Sequence, residues 1–127
     1  MTGVAQYRQV SAAAMVQDAS PHRLIQLMFD GLMARLAAAR GQIVRRDIPG
    51  RAKSIGSAVA ILGGLQQCLD DAKGGDLARN LDALYEYAQQ RLFRANVDND
   101  VAALDEVVDL LGGIKSAWDA IRPESQS

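Results

Sequence analysis

The stretch Gly74-Gly75-Asp76-Leu77-Ala78-Arg79-Asn80-Leu81-Asp82-Ala83-Leu84-Tyr85-Glu86-Tyr87 decides how the chain is read. It holds a helix stop, a helix start and the first turns of an amphipathic helix. Glycine reaches φ > 0 without a steric penalty, so Gly74-Gly75 predicts the end of a preceding helix. Asp76 follows as a candidate N-cap, placed to accept from a free N–H of the next first turn. Leu77, Leu81, Leu84, Ala88, Leu92 and Ala95 then recur in steps of three and four, which predicts one apolar stripe on a helix reaching Asn96. Val97-Asp98-Asn99-Asp100 breaks that pattern, and Asn99 or Asp100 is placed to cap another helix.

Outward from this helix the same signals repeat. Ser20-Pro21 reads as an N-cap followed by proline at the first helical position, where its missing N–H would be unpaired anyway. The helix it opens runs to about Arg45, whose charge suits the negative end of the helix dipole. Leu24, Ile25, Met28, Phe29, Leu32, Leu36, Ala39 and Ile43 give it an apolar face wider than a coiled-coil seam. Asp47-Ile48-Pro49 opens a second helix predicted to reach about Asp71, with Ile55, Ala58, Val59, Leu62, Leu65 and Leu69 facing the core. Gly56 and Gly63 share one flank of it, and either permit a close helix approach or loosen the helix. The last helix ends near Ile121, its stripe running from Leu104 through Val107, Leu111 and Ile114 to Trp118; Gly112-Gly113 is its expected weak point. Four such helices with short connections predict an all-α, antiparallel up-down bundle over residues 19–122. Residues 1–18 read as an N-terminal arm or short extra helix, and residues 123–127 as a disordered tail.

Composition narrows the function. A chain of 127 residues fits one domain with one real core. A formal net charge of −1 argues against a protein that binds nucleic acid by neutralising phosphates. The single cysteine, Cys68, allows no intrachain disulfide and suits a reducing compartment. No apolar run approaches the ~20 residues that cross a bilayer, and the N-terminus has no signal pattern, so a cytoplasmic protein without membrane insertion is expected.

Candidate chemistry is sparse. His22 is the only histidine, so a bundle metal site, which needs several inward carboxylates and histidines, is not expected. A histidine phosphotransfer bundle needs an exposed mid-helix imidazole, whereas His22 falls in a first turn and reads as an ordinary, partly exposed residue. Cys68 lacks a neighbouring base and reads as a quiet, partly buried thiol. Trp118 reads as core filler, Tyr85 and Tyr87 as seam residues, and Asp105, Glu106 and Asp109 as a solvated face. Asn80 and Arg91 lie at the stripe's edge as scaffolding. Phe93 falls nearly opposite the Leu81–Leu84–Ala88 stripe, close to Val97. With the over-wide first helix it suggests an apolar groove beyond the bundle core. No catalytic residue, metal or cofactor is expected, and the residues alone point to a small helical binding module.

The ordered set KGGDLARNLDALYEY, RLFRAN and ND, preceded by Ser20-Pro21-His22-Arg23-Leu24-Ile25 and Phe29-Asp30-Gly31, resembles the flagellin export chaperones of the FliS family. Leu104, Glu106-Val107, Leu110-Leu111 and Ala117-Trp118 resemble that family's last helix, although Gly112-Gly113 departs from it. The resemblance covers about Tyr7 to Trp118. It implies a cytoplasmic, non-enzymatic chaperone that binds the disordered C-terminal segment of flagellin, prevents premature polymerisation and delivers it to the flagellar type III export gate. It implies that the arm, through Tyr7 and Val10, lies reversibly over part of the client surface. The groove residues expected with it are Leu24, Ile25, Met28 and Phe29 on the first helix and Leu92, Phe93, Asn96 and Val97 on the third. A phosphotransfer bundle and a self-associating helical adaptor, forming a weak homodimer through Phe93 and the first helix, are the alternatives.

Overall fold

The computed structural model describes residues 20–69 and 71–121. Tyr7 and Val10, the whole expected arm, and residues 123–127 lie outside that range. Four helices follow in order: α1 (Pro21–Arg45), α2 (Ile48–Gln67), α3 (Asp71–Asp98) and α4 (Val101–Asp119). Helix α1 packs on α2 and α4, and α3 packs on the same two, so the helices close a ring in chain order around one core. This is the antiparallel up-down bundle expected from the sequence.

Two tight loops of the same construction set that topology. Helix α1 ends with Arg46 in the left-handed region (φ 58°), and the Asp47 N–H reaches back to the Gln42 carbonyl at 2.8 Å. Helix α3 ends with Asn99 at φ 51°, and the Asp100 N–H reaches the Ala95 carbonyl at 3.0 Å. In each case the next residue is an aspartate that caps the following helix: Asp47 accepts from the Gly50 N–H at 3.1 Å and Asp100 from the Ala103 N–H at 3.2 Å. Stop and start thus occupy two residues, which forces the chain straight back on itself. Ser20 caps α1 through the Arg23 N–H at 3.1 Å, as its position before Pro21 predicts.

The core stacks Phe29, Leu32 and Leu36 of α1 against Leu62 and Leu65 of α2, Leu92 of α3 and Leu104 and Leu111 of α4. Burying each such side chain contributes roughly 1.5–3 kcal/mol. Two expectations need correction, and one open alternative is decided. Helix α2 ends at Gln67, not Asp71, and residues from Asp71 form a helical turn that Gly75 (φ 54°, ψ −129°) interrupts before the rest of α3. The buried stripe of α3 runs through Ala78, Tyr85, Ala88, Leu92 and Ala95, with Leu81 partly buried, so it is rotated from the predicted one; Leu77 is 67% exposed and Leu84 is exposed as well. The steps of three and four are the same, and choosing Ala78 and Tyr85 over Leu77 and Leu84 shifts the face toward α2. Finally, a Cβ at Gly56 or Gly63 meets nothing within 4 Å. The close approach lies instead at Gly64, where an added Cβ would sit 3.0 Å from the Met28 terminal methyl.

Candidate functional site

Helices α1 and α4 meet at their outer ends through a reciprocal clasp. The His22 Nε2 lies 3.0 Å from the Trp118 carbonyl oxygen, and the Trp118 indole N–H donates to the His22 carbonyl at 3.1 Å. A carbonyl only accepts, so Nε2 carries the proton. The two rings stack with centroids 4.9 Å apart. His22 is 2% exposed, which corrects the expectation of a partly exposed residue, and an imidazole so enclosed cannot be presented to a phosphoryl donor. Trp118 is half-buried and serves as a wall of the adjoining cleft, not as core filler.

That cleft is an open apolar groove of about 720 Å³ at the clasped end of the bundle. Every helix contributes: Ile25 and Phe29 from α1, Leu65 from α2, Leu77, Leu81 and Tyr85 from α3, and Ile114, Trp118 and the flanking Ile121 from the α4 side. It stays open because the side that α3 turns to the interior here carries only Ala78 and Leu81 before Tyr85, while Leu77, which lines the cleft, remains two-thirds exposed. Cys68 stands exposed on its rim, against the expectation of a partly buried thiol. Burial, with the neighbouring Cys68 adding to it, pushes the Tyr85 phenol up to about 12, so it stays a neutral floor of the groove.

A second, shallower groove of about 380 Å³ runs between α2 and α3, lined by Ala52, Ile55, Gly56 and Val59 on one side and Gln89, Gln90, Phe93 and Asn96 on the other. Phe93 follows the fully buried Leu92, so it lies ~100° round the helix, on the flank that faces α2. It is 69% exposed, and Val97, one turn further on, is 62% exposed.

The expected site residues are therefore divided between two places. Ile25 and Phe29 line the larger groove, and Leu24 and Met28 sit half-buried beside them on α1, Met28 against Gly64. Phe93 and Asn96 line the smaller groove, Val97 extends its edge, and Leu92 lies in the core beneath with no surface to offer. Asn96 has a second task, since its side-chain oxygen accepts from Arg51 Nε at 2.9 Å. Sequence reasoning missed the α2 and α4 walls of the larger groove. Leu69, Ile114 and Trp118 read as core because they continue core stripes, and no periodicity says where a bundle stops being filled.

Among the described residues no helix is long and apolar enough to cross a membrane. The sequence pattern of the flagellar protein FliS matches residues 3–125. The chain is 53% identical over 121 residues to the flagellar secretion chaperone FliSB of Pseudomonas aeruginosa, covering 95% of this chain and 96% of the relative. It is 40% identical over 125 residues to the flagellar secretion chaperone FliS of Salmonella typhimurium, covering 98% of this chain and 93% of that one. The FliS of Vibrio cholerae, also a flagellar secretion chaperone, is 37% identical over 118 residues, covering 93% of this chain and 87% of that one. A four-helix bundle with an unfilled apolar end, matched along almost its whole length, thus belongs to the FliS family of flagellar secretion chaperones.

Proposed function

We propose that the protein is an export chaperone of the bacterial cytosol that holds the disordered C-terminal segment of flagellin, blocks its premature polymerisation and delivers it to the flagellar type III export apparatus. The observation that carries this reading is the open groove at the clasped end, in which Leu77 and Trp118 offer apolar surface that the bundle itself does not consume. An amphipathic client gains by laying its apolar face into such a groove. Folding on binding costs about 2–5 kcal/mol of the gross interaction, so a long client needs more than one contact region. The smaller groove at Phe93, Asn96 and Val97 supplies a second. Nothing in this mechanism asks for a nucleotide, a metal or a catalytic group; release is a matter of exchange at the export gate.

Isothermal titration with the last ~40 residues of the flagellin from the same organism tests the reading. Saturable binding near one-to-one with a large negative heat-capacity change is expected. Leu77→Asp changes a side chain that is two-thirds exposed, so the fold should persist while affinity falls at least tenfold. Absence of saturable binding by the unaltered chain overturns the proposal.

A further inference from the structure

Helix α4 changes character at Gly112-Gly113. Its buried residues, Ala103, Leu104, Val107 and Leu111, all precede the pair, and from Ile114 to Ile121 no side chain is buried. Core packing therefore fixes the first part of the helix and not its end. The pair adds freedom, because glycine is costly to order in a helix and paired small residues are where helices bend. Nothing packs over Gly113, where an added Cβ meets no atom within 4 Å. Yet the residues beyond the pair include Ile114, Trp118 and Ile121, the α4 wall of the larger groove.

A polar row on α1 holds that wall. His22, Gln26 and Asp30 stand four residues apart on one face, and each meets the end of α4. His22 does so through the Trp118 clasp, Gln26 Nε2 by donating to Asp119 Oδ1 at 3.1 Å, and Asp30 through Lys115 Nζ at 3.5 Å. Among the described residues no side-chain hydrogen bond or ion pair joins residues 114–121 to α3; the links from Tyr87 and Arg91 end on Glu106, ahead of the glycines. Water competes for the two surface contacts, but not for the enclosed imidazole.

That imidazole is a poor choice for filling space alone. With the proton on Nε2, Nδ1 is an acceptor, and it is buried without a hydrogen-bond partner. An unpaired buried acceptor costs stability that an apolar ring in its place would not. What the imidazole adds is a directed bond to the Trp118 carbonyl, made from a helix start that Ser20 and Pro21 hold in place.

We propose that His22 is a positioning residue for the larger groove: through the clasp it holds the end of α4, which otherwise swings on Gly112-Gly113, so that the wall stands formed before a client arrives. His22 itself lines no part of the groove. A wall held in place spares the client the cost of ordering it. The inference rests on the export-chaperone reading, which supplies the client.

Trp118 is the only tryptophan, so acrylamide quenching of its fluorescence reports the wall without a client. His22→Phe keeps a ring against Trp118 and removes the bond. It is expected to raise the quenching constant about twofold and to weaken binding of the flagellin C-terminal peptide about tenfold, as for a wall that stands roughly a tenth of the time. Adding Gly112→Ala/Gly113→Ala stiffens the hinge at positions outside the groove, where both methyls have room. This is expected to return both readouts toward their unaltered values. Gly63→Ala is the control: it gains similar helix propensity in α2 and is expected to repair neither. Melting temperatures are recorded, and the assays are run well below them. Gln26→Ala/Asp30→Ala loosens the same wall from the surface and is expected to shift both readouts the same way by a smaller factor, which keeps the test decisive where His22→Phe impairs folding.

Quenching that neither variant changes overturns the proposal. So does an affinity loss that Gly63→Ala repairs as well as the α4 pair does, because that pattern reports global stability and not a hinge. In both cases the unaltered chain still binds, and the export-chaperone reading stands. Failure of the unaltered chain to bind the peptide removes that reading and the client's share of this one, while the quenching series still decides whether His22 holds the wall.

Discussion

Glu106 shows how much of this bundle's exterior is tied together one side chain at a time. Its carboxylate accepts from the Tyr87 hydroxyl at 2.7 Å and from Arg91 Nε at 2.6 Å, joining α3 to α4 across their seam. Those two donors, the tyrosine first, hold the Glu106 carboxyl below its ordinary range. A carboxylate whose folded value is depressed stabilises above its unfolded value, near 4.5, and loses that contribution as pH falls through the folded value. Wild type is therefore expected to melt above Glu106→Gln at pH 7, and the gap is expected to close by pH 3; a gap that persists in acid would assign the effect to packing. The acidic identity of residue 106 was legible in the sequence, but its partners were not, because the pairing depends on the rotation of α3 about its axis. The same rotation explains why Leu77 and Leu84, apolar and correctly spaced, lie outside while Ala78 and Tyr85 lie inside. Periodicity fixes the step between buried positions, not which of two overlapping rows faces the neighbours.

At the scale of elements, caps carried more information than stripes. Ser20-Pro21, Asp47 and Asp100 start helices where their chemistry says they should, because a cap satisfies N–H groups within its own turn and needs no tertiary partner. Glycines were harder to interpret, since a glycine's cost is local while its benefit depends on what packs over it. Gly63 and Gly113 lie in helix interiors with nothing within 4 Å of an added Cβ. Gly63→Ala and Gly113→Ala should each raise stability by about 0.5–1 kcal/mol in urea titration. Gly64→Ala should gain less or lose, because Met28 has to move by a few tenths of an ångström to admit the methyl. Equal gains at all three sites would show that the α1–α2 contact is looser than the 3.0 Å approach implies. The doubled glycine in α4 does not break that helix, which runs unbroken from Val101 to Asp119; an added Cβ at Gly112 would stand 3.8 Å from the Met33 terminal methyl, ordinary packing distance.

The whole molecule is asymmetric along its axis, with an apolar, open end beyond the His22–Trp118 clasp and an opposite end, around Arg51, where the two capped loops turn the chain. That asymmetry could not be read from the chain alone, because each end assembles residues from several helices and the stripe on each helix looks continuous. It gives the arm a specific role to test. Tyr7 and Val10 are larger apolar residues set among small and polar ones in the segment that precedes Ser20, and Ser20 caps α1 at the end where the groove opens. If they cover the groove and yield to the client, removing residues 2–17 relieves the client of a competitor. Flagellin-peptide affinity should then rise several-fold, and the truncated chain should lose stability because the groove is left uncovered. The gain should disappear when Leu77→Asp is added, since that change damages the surface both occupants would use. Truncation that leaves both affinity and melting temperature unchanged removes the plug and leaves the groove permanently open. Truncation that weakens binding would instead make the arm part of the client site, and the sign of the affinity change alone separates these two roles.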